Sequence, residues 1–286
     1  MNTHPSQDPN FSTEADASMA DLLPYIKAGK HRFPSKEELF AEVNRDRDSR
    51  KKVANTLQYT VAFMVGALGV WAINPTISSN TYTTNYAENK RFDLSDGSSV
   101  HLNANTTLLT SFRLHSREMR LEKGEASFTV KHGWRPFTVA VNHSEVLDIG
   151  TVFNISKWDQ SSVTSVLEGE VEVHNAGKAN RLISGQSMAI SDSGLGVPYQ
   201  ANMEMVTAWQ TGKIIFNQTP LKEAIASIQR YRKAPIQLDP RVEHMRITGI
   251  YDVNKIESLL DSMDAMFPVK VTRLDAGEIN IQKNNP

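Results

Sequence analysis

A gap in the charge constrains this chain most. No Asp, Glu, Lys or Arg occurs from position 53 to 87, and residues 53–73 read VANTLQYTVAFMVGALGVWAI. A helix rises about 1.5 Å per residue, so roughly 21 residues cover the ~30 Å hydrocarbon core of a bilayer. Tyr59 and Trp71 stand near the two ends, where amphipathic rings favour the interface, and Pro75 follows as a stop. The upstream flank, RDRDSRKK, gathers Arg45, Arg47, Arg50, Lys51 and Lys52, whereas the next basic residue downstream is Lys90. The positive-inside rule then predicts a single-pass membrane protein, N-terminus cytoplasmic and everything after Ile73 outside. A buried core helix seldom runs this long without a charge. A signal peptide rarely follows so long a leader, and no small-x-small cleavage site comes after the run.

The remaining composition excludes several classes of function. A net charge of -1 over 286 residues argues against direct nucleic-acid binding, which calls for a basic excess. With no cysteine there is no thiol chemistry and no zinc–thiolate site, and the chain suits an oxidising exterior.

The cytoplasmic part, residues 1–52, starts with a polar stretch and then shows two short helical patterns. Met19, Leu22, Leu23 and Ile26 fall at one-face spacing, interrupted by Pro24. Ser35 with Glu38 forms a capping box ahead of Leu39, Phe40 and Val43, and this second helix is expected to run on toward the membrane. So short a segment buries little surface alone. It reads either as a partner-binding module, with Leu22, Leu23, Ile26, Leu39, Phe40 and Val43 as the contact residues, or as a self-satisfied helical hairpin that tethers the span.

Beyond a Thr/Ser/Asn-rich spacer (76–85), short strand signals recur at 91–94, 100–102, 107–112, 118–122, 126–130, 137–141, 145–149, 152–156, 162–167, 170–174 and 188–190. Asp96-Gly97 marks a hairpin, and Gly124, Gly133, Gly169, Gly177 and Gly185 read as turn residues. The pattern predicts an all-β domain over 75–195, either a sandwich or a solenoid-like stack. From 208 to 286 the pattern becomes βαββαββ, a small α+β domain. Its helices are expected at 220–232, with Leu221, Ala224, Ile225 and Ile228 buried, and at 254–266. In the first of these the helical period places Tyr231 on the core side and Arg230 toward solvent.

The segments LSDGSSVHLNANT (94–106), MRLEKGEASFTV (119–130), RPFTVAV (135–141), IGTVFNI (149–155), VLEGEVEV (166–173) and LISGQ (182–186) resemble, in order, the FecR family of single-pass anti-sigma factors. The tail, TGKIIFNQTPLKEAIASIQRY (211–231) with ITGIYDV (247–253), resembles the family's C-terminal region, itself similar to the short N-terminal signalling domain of secretins and TonB-dependent transporters. This resemblance implies a relay: a TonB-dependent outer-membrane transporter for an iron carrier, contact through the C-terminal region, and control of an extracytoplasmic-function sigma factor by the cytoplasmic segment. The alternative is an envelope scaffold or assembly protein for which the first 52 residues are only a tether.

Gly150-Thr151 is the one place where a covalent event can be argued. In some relatives a Gly-Thr bond at this motif breaks when the threonine hydroxyl attacks the preceding carbonyl, and the residue types suit that. A glycine bulge followed by a β-branched strand residue is the structural alternative. His101, His115, His132, His143 and His174 have no ligand spacing, so neither a metal nor any other cofactor is expected, nor is enzymatic action on a diffusible substrate. Trp134, Trp158 and Trp209 are read as core or junction fillers in preference to partner contacts.

Overall fold

A computed structural model describes residues 35–191 and 193–284. Of the sequence-predicted contact residues, Leu22, Leu23 and Ile26 lie outside this range. The chain divides after Leu68 into two compact units. Helix α1 spans Lys36–Ile73 without a break. Its start is the expected capping box: the Glu38 N–H donates to Ser35 Oγ (3.2 Å) and the Ser35 N–H to Glu38 Oε2 (2.8 Å). The helix is long and apolar enough to cross a membrane, and none of its apolar stretch is buried.

The second unit opens with β1 (Thr76–Thr83), β2 (Lys90–Asp93), β3 (Ser99–Leu102), β4 (Thr107–Arg113), β5 (Arg117–Thr129), β6 (Phe137–Val141) and β7 (Ser144–Asp148). It continues with β8 (Val152–Trp158), β9 (Ser161–Glu168), β10 (Glu170–Asn175), β11 (Lys178–Ile183), β12 (Gln186–Ser191), β13 (Gly194–Leu195) and β14 (Tyr199–Gln200). These strands form one mostly β network whose main path runs β11-β10-β7-β6-β5-β8-β9-β12-β13. Alternation drives the burial: in β4 Leu108, Thr110 and Phe112 point inward, and in β6 Phe137, Val139 and Val141 do.

Strand β5 is the axis of this network. Its first half pairs with β4 and, in parallel, with β6; its second half pairs with β3 and β8. The expectation of two strands separated by a turn at Gly124 is therefore corrected. Gly124 (φ +89°) lies inside one strand of 13 residues, opposite a register shift at Thr107/Leu108. A Cβ there would meet the Thr106 Cα at 2.6 Å, so the glycine serves a bulge and a close approach of backbones. Side chains from both halves, among them Leu108, Met119, Phe128, Phe153 and Ile155, share one core.

The Thr/Ser/Asn-rich stretch is likewise a strand and no spacer. Strand β1 pairs antiparallel with β4 along its whole length. Being mostly exposed, it carries no apolar alternation that the sequence could display.

Past α2 (Met203–Thr207) come β15 (Lys213–Pro220), α3 (Leu221–Gln229), β16 (Ile236–Leu238), β17 (Arg246–Asp252), α4 (Ile256–Asp261), α5 (Met263–Met266), β18 (Val269–Arg273) and β19 (Ile279–Lys283). Strands β15 and β17 make one small sheet and β16-β19-β18 another, over a second core. Pro220 precedes α3, whose buried side chains are Leu221, Ala224, Ile225 and Ile228. The helix expected at 254–266 is instead broken at Ser262, whose N–H and hydroxyl both bond the Leu259 carbonyl and close the α4 turn.

Candidate functional site

The last residue of α3 is followed by Arg230 and Tyr231; the Tyr231 ring packs against the C-terminal core, as its period predicts, while its hydroxyl and the Arg230 side chain reach the β network. On α3 the buried stripe faces one way, and Arg230 lies about half a turn round the helix from it. The side facing away from its own core meets β5 and β8 and is covered by them. Arg230 is buried, which corrects the expectation that it faces solvent. Its Nη1 donates to Glu125 Oε2 (2.6 Å), and its Nη2 donates to Ser156 Oγ (2.8 Å) and to the Lys157 carbonyl (3.0 Å). The guanidinium also lies 4.9 Å from the Trp158 ring.

Glu125 receives two further bonds, from Asn103 Nδ2 (2.8 Å) and Asn154 Nδ2 (2.9 Å). Tyr231 donates its hydroxyl to Asn103 Oδ1 (2.8 Å). Burial pushes the Tyr231 phenol far up, with the nearby Glu125 charge adding to the effect, so it is a neutral donor. Four strand residues (Glu125, Asn154, Ser156 and Lys157), Asn103 just past β3 and the end of one helix thus form a single polar network around one buried ion pair. Trp209, also buried, packs its ring against His101 at 4.8 Å. Burial, and Arg91 beside it, push the His101 imidazole down and favour the neutral ring. Beside this network opens a cleft of about 1020 Å³, walled by Trp158, Val163, Ile214, Ile215 and Phe216 among others.

Trp158 and Trp209 therefore sit at the junction of the two cores, as expected. Trp134 does not: it is 77% exposed on the loop before β6. Phe40 is 60% exposed in the first turns of α1, which also carry Leu39 and Val43.

At Gly150-Thr151 the backbone takes φ +92° at the glycine, just before β8. Thr151 is buried, and its hydroxyl bonds Asp148 Oδ1. The same carboxylate accepts from the N–H groups of Gly150 (3.0 Å) and Thr151 (2.9 Å). Gly169 lies against this turn, and a Cβ there would stand 2.7 Å from the Gly150 carbonyl oxygen. Asp148 was not legible as a partner from sequence, since an acidic residue at a strand end is common. Among the described residues no three His, Asp or Glu side chains gather in a way that would hold a metal ion.

The model of one protein family, the FecR protein, matches residues 80–172. That stretch runs from within β1 into β10 and holds both Glu125 and Gly150-Thr151. The fold agrees with two crystal structures, at 2.50 and 1.65 Å resolution, of a proposed anti-sigma factor from Parabacteroides distasonis. Each is 28% identical to this chain at a TM-score of 0.65, and they cover 73% and 72% of it and 100% of the chains compared. Residues 80–172 therefore resemble a FecR domain. No curated protein matches it. The FecR match ends well before Arg230, so the junction network joins the FecR domain to residues outside the matched stretch.

Proposed function

We propose that this chain is a FecR-family, membrane-anchored regulator of an extracytoplasmic-function sigma factor. In this reading α1 crosses the bacterial inner membrane, residues 1–52 face the cytoplasm, and the FecR domain and the C-terminal elements lie in the periplasm. The observation that carries it is one chain uniting a helix able to cross a membrane with a fold that matches a proposed anti-sigma factor over nearly three quarters of its length. The input would be the signalling domain of a TonB-dependent outer-membrane transporter for an iron carrier. Its contact would lie on the C-terminal elements, as a small α+β domain over 208–286 with open strand edges. The cytoplasmic output would run through Leu22, Leu23, Ile26, Leu39, Phe40 and Val43.

The test is co-purification of the full chain with the cell's sigma factors. One of them is expected to be retained, and Phe40→Asp is expected to release it by placing a carboxylate in an apolar contact. Unchanged sigma-dependent transcription on deleting residues 1–52 would refute the regulator and favour an envelope scaffold. A reporter that placed the C-terminus in the cytoplasm would refute the orientation.

A second reading is favoured by the Asp148–Thr151 contact. Asp148 is placed to take the proton as the Thr151 hydroxyl attacks the Gly150 carbonyl carbon. The C–N bond then breaks, the Thr151 nitrogen leaves as an amine carrying that proton, and an ester links Gly150 to the Thr151 side chain. Water hydrolyses the ester to a Gly150 carboxylate and a free hydroxyl. Native protein is expected to run as two associated pieces, and Thr151→Ala as one. Native protein that stays whole when folded refutes it.

A further inference from the structure

We propose that the protein surface around the end of α1 rests in the headgroup layer of the membrane, with Trp134 and Arg135 as its anchors. This rests on the reading of α1 as a span.

The tip of the β4–β5 hairpin is fastened to the residues that end the helix. Asn74 Nδ2 donates to Ser116 Oγ (2.9 Å), and Asn74 Oδ1 accepts from the His115 N–H (3.1 Å). The Leu114 N–H donates to the Pro75 carbonyl (3.1 Å). The His115 ring stacks on Trp71 at 5.3 Å, and its Nε2 donates to the Trp71 carbonyl (3.0 Å). A second loop is then drawn alongside, because Arg135 Nη1 donates to the Arg113 carbonyl (3.0 Å). That loop presents Trp134, whose ring lies 5.7 Å from the Arg135 guanidinium.

Trp71 ends the apolar run, so it stands at the bilayer surface if the helix spans. The interfacial layer on each side of the hydrocarbon is roughly 5–8 Å deep. Trp134 is tied to the residue that follows the helix through the hairpin tip and the Arg135 side chain. The chemistry also fits this layer. A solvent-exposed indole with a guanidinium over it suits a zone where an apolar body and a cationic tip are both satisfied, and Ile73, Ile77 and Leu114, at or next to the end of α1, are exposed too. Arg113, paired with Glu118 at 2.8 Å, lies at the same end.

The experiment uses the full chain in phosphatidylcholine–phosphatidylglycerol nanodiscs containing lipid brominated near the glycerol end of its acyl chains. Tryptophan emission is compared for the native protein, Trp71→Phe and Trp134→Phe, with circular dichroism confirming that each variant is folded. Trp158 and Trp209 sit at the junction of the two cores and provide the unquenched background. Trp71→Phe and Trp134→Phe are each expected to remove roughly half of the quenchable signal. If Trp71→Phe removes all of it and Trp134→Phe none, the span stands and the surface contact is overturned. If only Trp134→Phe removes signal, the contact stands and the span fails. Trp134 shielded from aqueous acrylamide yet untouched by brominated lipid would mean a protein covers it, which also overturns the proposal.

Discussion

Removing the Arg230 charge tests whether the junction of the two cores is held by its buried ion pair. In Arg230→Met a side chain of similar length keeps much of the packing on Trp158. The substitution deletes three hydrogen bonds, to Glu125, Ser156 and the Lys157 carbonyl. Glu125 keeps only Asn103 and Asn154, both neutral, in a site where its side chain is 10% exposed and that of its lost partner was 9% exposed. A carboxylate left uncompensated in such a place costs about 3–5 kcal/mol, against at most about 1 kcal/mol for an exposed pair. Since a domain is stable by only about 5–15 kcal/mol, the difference is easily read. The assay is urea unfolding of the full chain in detergent, followed by tryptophan emission, to which Trp158 and Trp209 at the junction contribute. Glu125→Gln is expected to cost a similar amount by stranding the guanidinium. The double variant should lose less than the sum, by on the order of 2 kcal/mol. An Arg230→Met loss below about 1 kcal/mol, or strict additivity, would refute the claim that the pair holds the junction.

Three further outcomes follow from the same coordinates. Gly124→Ala, with φ +89° and Thr106 backbone at 2.6 Å from the new Cβ, should lower stability by at least about 2–3 kcal/mol, visible as a fall in Tm; a neutral result would deny the bulge. At Asp96 burial opposes ionisation, but the hydrogen bonds from Arg117 and Ser98 outweigh it and hold the carboxyl below its ordinary value. A depressed acid contributes stability that is present above its unfolded pKa of about 4 and is lost as pH falls through the folded value. Stability measured below about pH 4 should therefore fall less steeply in Asp96→Asn than in the native protein. Tyr231→Phe removes one hydrogen bond to Asn103 Oδ1, which still accepts from the Ala104 N–H (2.7 Å), so the loss should stay near 1 kcal/mol in the same unfolding assay.

What could be read in the sequence was whatever repeats along a single element. The apolar run of α1, its capping box, the alternation of β4 and β6 and the stripe of α3 each declare themselves by period, and each is present. The misses share a cause: they depend on what a second element brings. Strand β1 is exposed along most of its length and exists because β4 offers a hydrogen-bonding edge, so its polar composition looked like a spacer. Gly124 looked like a turn because a glycine inside a strand and a glycine between strands have the same sequence signature. For Arg230 the helical period correctly placed it off its own core. No local pattern could say that another core, with a carboxylate at the right depth, lies on the other side. The size of Trp134 points to packing, and size alone does not tell a buried ring from an exposed one.

The junction and the end of α1 are joined by one strand, and this bears on whether the fold could transmit a displacement. Ser116, at the start of β5, holds Asn74 at the foot of the helix; nine residues on (116 to 125), Glu125 holds Arg230. At about 3.3 Å per residue these two anchor points stand roughly 30 Å apart. Between them β5 is paired on both edges over residues 117–120, with β4 and β6, by β4 alone up to Lys123, and by β8 from Gly124, so it is stiffest near its helix end. A rigid connection works only while both ends are seated, and Arg230→Met unseats one of them. Hydrogen exchange in the full-length variant should then rise across α3 and β17 while residues 114–121 keep their protection, because the hairpin's bonds to Asn74 and Pro75 are untouched. A comparable rise at 114–121 would show that β5 does not hold its helix end independently of the junction, and a relay through this strand would lose its physical basis.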